Sequence, residues 1–159
     1  MTINLENLFE KFELKKVHLN VGMIGVEISF DEADKDAAWE LYVEMLTRIV
    51  TQPLPDGVGD ETTALESVYS LFPTTREILR KRGRKTLQFS KVAIPVLNQI
   101  VRPFTAKWHK EASQNGFDNS TTREKFREEL QELQKDLCRY NRMLAEIAGV
   151  EDLTDLERG

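Results

Sequence analysis

The sequence predicts a mainly α fold: a four-long-helix bundle with kinked helices, plus a short N-terminal helix and one β-hairpin. Three observations carry this. Apolar residues recur at steps of 3 and 4 through most of the 159 positions, the spacing of one helix face. The period falls to 2 only between 17 and 30. Proline and glycine gather in a few short stretches, which punctuate the periodic segments.

Taken in order, "INLENLFEKF" (3–12) places Leu5, Leu8, Phe9 and Phe12 on one helical face. Val17, Leu19 and Val21 then alternate with polar residues, as do Val26, Ile28 and Phe30. "GMIG" (22–25) between them offers glycines for a turn, so 17–30 reads as a hairpin with one apolar face. A lone hairpin is at best marginally stable in water. Val17, Leu19, Val21, Val26 and Ile28 are therefore expected to form an interface, on the bundle or with a second subunit.

Asp31 is expected to cap a helix over 32–52, with acids at 31, 32, 34 and 36 facing its positive N-terminus. Trp39, Tyr42, Leu46, Ile49 and Val50 give its main stripe, widened by Leu41, Val43 and Met45; Glu44 and Arg48 are spaced as a surface pair. "QPLPDGVGD" (52–60) is a loop. Leu65, Val68, Phe72, Thr75 and Leu79 keep one register across Pro73 and predict a single kinked helix over 61–82, ended by Gly83. Residues 86–114 predict a third helix with Ala93, Leu97, Ile100, Phe104 and Trp108 inward and breaks near Pro95 and Pro103. The last helix, 121–148, carries Phe126, Leu130, Leu133, Leu137, Tyr140, Leu144 and Ile147 in strict 4–3 alternation, the seam of helices packed at about 20°. Thr121 with Glu124 reads as its capping box and Gly149 as its stop. The whole of 1–159 is one domain: helix and hairpin (1–30), bundle (31–149) and an acidic tail (150–159) expected to fray.

Charged residues make up 31% and hydrophobic ones 40%, a composition that supports a packed core. Cys138 is the one cysteine, which excludes an intrachain disulfide and suits a reducing compartment. No apolar run approaches the roughly 18 residues of a membrane span, and the acidic N-terminus is unlike a signal peptide. The expectation is a cytoplasmic protein without membrane attachment. Two histidines and one cysteine, far apart in sequence, make no zinc site, no phosphate-binding glycine loop is present, and no cofactor is expected.

Charge is distributed unevenly. Residues 76–110 hold ten Lys or Arg against the single acid Glu77, a local +9, leaving −14 for the rest of a chain whose total is −5. Such asymmetry marks either an anion-binding surface or segments of one bundle attracting each other. "RKRGRK" (80–85) is the nucleic-acid candidate, so Arg80, Lys81, Arg82, Arg84 and Lys85, with Lys91, form the expected anion-binding set. No aromatic residue is interleaved among them.

"RPFTAKWH" (102–109) places Arg102 and His109 on one polar stripe, about 10.5 Å apart along a straight helix. An Arg-x6-His pattern on a helical bundle resembles the HEPN superfamily of ribonucleases. That resemblance implies metal-independent RNA cleavage, with Arg102 steadying the phosphate, His109 taking part in proton transfer, and a dimer completing the site. Pro103 stands where the family often has a polar residue. "AWELYVEMLTRIVTQPL" (38–54) and "VLNQIVRPFTAKWH" (96–109) are similar to stretches of uncharacterised bacterial helical proteins associated with phage-defence gene clusters, which implies an accessory role beside another protein. The sequence thus predicts a non-catalytic, oligomerising or partner-binding component. A ribonuclease using Arg102 and His109, and a nucleic-acid or nucleotide binder using the basic run, stand as alternatives.

Overall fold

The computed structural model describes residues 2–156. Four rods form the bundle. The first is α2 (Glu32–Leu46). The second is α3 (Glu61–Tyr69) followed by α4 (Leu71–Arg82). The third is α5 (Leu87–Val96), a π turn (Leu97–Val101) and α6 (Arg102–Ser113). The fourth is α7 (Ser120–Ala148). α2 and α7 share the most extensive contact, α4 and α5 pack on α2, and α3 packs on α6. Every predicted seam residue of α7, from Phe126 to Ile147, is buried, as are Ala93, Leu97, Ile100, Phe104 and Trp108 of the third rod. One apolar cluster runs from Leu5 to Ile147.

Both bends have a proline as their cause. Pro73 has no N–H for the carbonyl of Tyr69, and its ring crowds that group; α3 accordingly ends at Tyr69, and α4 restarts after Ser70. In the third rod the Arg102 N–H reaches back five residues to the Leu97 carbonyl. The widened turn hands Pro103 the second position of α6, where a missing donor costs nothing. The 102–113 segment is then unbroken helix, so Arg102 and His109 keep the straight-helix rise of about 10.5 Å.

Several expectations are corrected. A two-stranded antiparallel sheet exists, but 26–30 does not pair with 17–21. Its strand β2 (Glu27–Ile28) pairs with β1 (Ile3–Asn4), with Ile3 opposite Ile28. The 17–20 stretch has no regular structure, and Val21–Met23 forms a 3₁₀ turn. The alternation at 17–21 is half-burial of a loop: Val17 and Leu19 rest on the core, and Gln99 holds the His18 backbone through both its N–H (2.7 Å) and carbonyl (3.1 Å). The Asn4 side chain caps α1 (Leu5–Lys11), which is therefore shorter than predicted.

α2 stops at Leu46, not 52, because Thr51 and Gln52 turn back to donate to the Met45 and Leu46 carbonyls (2.7 and 3.1 Å). α2 also presents Trp39 and Val43 to solvent, 46% and 39% exposed, rather than inward. α7 is capped by Asn119, which accepts from Thr122 N–H, not by Thr121 and Glu124. Within the described residues the tail expected to fray makes contacts with the bundle; its 157–159 end lies outside them. Asp152 accepts from the Tyr42 hydroxyl (3.2 Å) and from Thr154 N–H (3.0 Å), Arg142 pairs with Asp155 (2.7 Å), and Thr154 is buried. Acidic residues here are ligands for α2 and α7, which is why composition alone misread them.

Candidate functional site: a cationic face across three helices

The breaks described above bring together three helices that the sequence keeps apart. Phe72, in the first turn of α4, is 2% exposed, yet its ring carries two guanidinium groups. Arg102 of α6 lies 4.6 Å from its centroid and Arg76 of α4 5.8 Å. Tyr69, the last residue of α3, packs against Phe72 (5.6 Å between centroids) and meets His109 of α6 edge-on at 5.0 Å. Tyr69 remains 45% exposed. The result is a row, Arg76–Phe72–Arg102 with Tyr69–His109 beside it, whose outer members all face solvent.

Arg102 is held in place. Its Nε and Nη2 both donate to Asn98 Oδ1, at 3.2 and 3.1 Å, while the Phe72 ring supports its plane. An arginine fixed in this way loses less rotamer freedom when it meets an anion. Next to it, Pro73, Arg76, Glu77, Arg80 and Lys81 line a shallow groove of about 550 Å³. Among the described residues, none of Arg76, Arg80, Arg84, Lys85, Lys91, Arg102 or Lys110 has a carboxylate at ion-pairing distance.

The basic run is split by the fold. Arg82 spans to Glu40 and to Asp36 (3.6 Å), and Lys81 approaches Glu40 at 3.9 Å. Those two charges tie α4 to α2. Arg80, Arg84 and Lys85 point to solvent, the last two from the 3₁₀ turn Gly83–Thr86. Lys91 is half-buried and donates to Gln88 (3.1 Å). Arg76 lies outside the predicted set, and it belongs with Arg80 and Arg102. Tyr69, Phe72, Arg76 and Arg80 step by 3, 4 and 4, so this stripe was readable in the sequence; the packing of α6 against it was not.

The predicted interface set is not assembled as one surface. Ile28 is 1% exposed inside the chain's own core, Val17, Leu19 and Val26 lean on that core, and Val21 is 87% exposed. Thr105, between Arg102 and His109 on α6, is buried and donates to the Arg102 carbonyl. No group of three His, Cys, Asp or Glu among the described residues is placed to hold a metal ion, and no described helix is long and apolar enough to cross a membrane. Burial raises the Tyr140 hydroxyl far above its ordinary range and raises the Asp34 carboxyl; both belong to the bundle's interior.

The fold and this face define a class: a helical bundle with an unneutralised cationic–aromatic surface. Compared with protein-family models, with curated proteins and with solved structures, the chain matches none.

Proposed function

We propose that the protein is a non-catalytic binding module, an accessory component that docks on an acidic macromolecule through the face formed by α3, α4 and α6. The observation that carries this is the pair of guanidinium groups on Phe72, exposed and without a carboxylate at ion-pairing distance among the described residues, so their charge is left for a partner. Lys81 and Arg82 make the contrast, since the bundle does consume those two. The contact of Arg76 and Arg102 with Phe72 contributes modestly to folding, but surface cations without acids repel each other and attract and steer an anionic partner.

The seam of α7 is covered by α2 within one chain, so it is not the surface this reading uses. The ribonuclease alternative keeps one favourable observation: Arg102 and His109 share an exposed face that a second copy could complete.

Retention on immobilised heparin tests the proposal. The variant carrying Arg76→Gln, Arg80→Gln and Arg102→Gln should elute at clearly lower salt than the parent; equal elution overturns the assignment. Incubation with RNA in EDTA should leave the strand intact. Cleavage that disappears in His109→Ala would replace docking with ribonuclease activity.

A further inference from the structure

We infer that the acidic macromolecule is a single-stranded nucleic acid, with Tyr69 stacking on an unpaired base and Arg76, Arg80 and Arg102 holding phosphates beside it. The inference rests on the docking role proposed above and names its ligand.

The chemistry of the face selects this ligand. Guanidinium groups alone would serve carboxylates as well as phosphates. Here they sit on Phe72, the ring that packs against the half-exposed Tyr69, and Tyr69 also meets His109 edge-on, so its orientation is set before any ligand arrives. A braced, half-exposed ring beside cations is a platform for a base, since every base has a π-face and the contact tolerates any sequence. In a duplex the bases are already stacked on one another and their faces are closed to Tyr69. An acidic peptide without aromatic residues has charge for the arginines but no ring to lay on Tyr69. Along α4, Arg76 and Arg80 are one turn apart, about 6 Å in rise, and they open onto the groove beside Pro73. Arg102 approaches from the other helix. A strand lying across α4 and α6 would thus meet the arginines on Phe72 with Tyr69 beside them. Glu77, in the same groove, is the one acid there and would repel phosphates that enter from the α2 side.

The experiment uses the full chain at low salt in EDTA, with four fluorescent probes: a 12-mer of dT, a 12-mer of rU, a 12-base-pair duplex and a 12-residue polyglutamate. Anisotropy should show both single strands bound at least tenfold more tightly than the duplex or the peptide. Tyr69→Leu should weaken single-strand binding roughly fivefold to a hundredfold, and Tyr69→Phe should restore it. Circular dichroism checks that both variants fold. Equal affinity for strand, duplex and peptide, or full affinity in Tyr69→Leu, overturns the nucleic-acid inference and leaves the docking role standing. No binding of any polyanion overturns both.

Discussion

Asp34 is the residue on which the junction of α2 and α5 depends, and its replacement by alanine should be costly. The carboxylate is wholly buried. One oxygen accepts the Phe89 N–H at the start of α5 (2.9 Å), and the other accepts the Asp31 N–H (3.0 Å), completing a capping box in which Asp31 returns the contact at 3.0 Å. Alanine orphans both donors. A buried donor without a partner costs about 1–3 kcal/mol; the Phe89 group, deeper, belongs at the upper end and the Asp31 group, half-buried, at the lower.

Against this stands the cost of burying the carboxylate, which raises the Asp34 pKa and which alanine removes. The net expectation is a loss of roughly 2–4 kcal/mol, and about half of that for Asp34→Asn, which keeps one acceptor. Urea unfolding followed by circular dichroism measures it. A raised carboxyl pKa means that the folded state favours the proton. Its contribution is therefore full below the ordinary value of 3.8 and is lost as pH rises through the folded value. The penalty of Asp34→Asn should then shrink as pH rises from about 4 toward neutrality. A loss below about 1 kcal/mol in Asp34→Ala, or a penalty that grows with pH, would refute the reasoning.

Other expectations follow from equally local contacts. Burial raises both Tyr42 and Tyr140 above the usual 10, so the folded state resists their ionisation; stability should be intact below that value and fall above it, with tyrosinate absorbance for these two rising only as helical ellipticity is lost. Arg127 donates to Glu61 (2.9 Å) and to the Pro55 and Val58 carbonyls (3.0 and 3.2 Å), fastening the 52–60 loop to α7. Arg127→Met should cost roughly 2–4 kcal/mol by leaving the buried Glu61 uncompensated, and limited proteolysis should cut first in that loop. Asn119→Ala removes the cap of α7 and should cost about 1 kcal/mol in thermal or urea unfolding.

The helices of this bundle were legible because burial on one face imposes a period that nothing else in a sequence imitates. The α7 seam shows this best: each of its seven predicted residues is buried. What eluded the sequence is pairing between distant segments. The strand at 27–28 could be suspected from its alternation, yet its partner is at 3–4, which a two-residue strand announces by no pattern. Trp39 looked like core because it is large and correctly spaced for the α2 stripe, whereas it stands on the solvent side of α2.

The candidate site divides in the same way. Arg102 and His109 could be placed on one exposed face from their spacing. Tyr69 and Arg76 could not be placed beside them, because the juxtaposition depends on α3 and α4 meeting α6 in space. The basic run could be seen but not apportioned, since only the fold shows that Arg82 and Lys81 answer acids on α2.

The most direct test of the account is the salt dependence of binding to the single-stranded 12-mer. Each neutralised phosphate contributes about −0.7 to the slope of log affinity against log salt. The parent chain, using Arg76, Arg80 and Arg102, should give a slope near −2, and the Arg76→Gln/Arg102→Gln variant one near −0.7. Identical slopes for the two proteins would contradict the claim that these arginines make the contact.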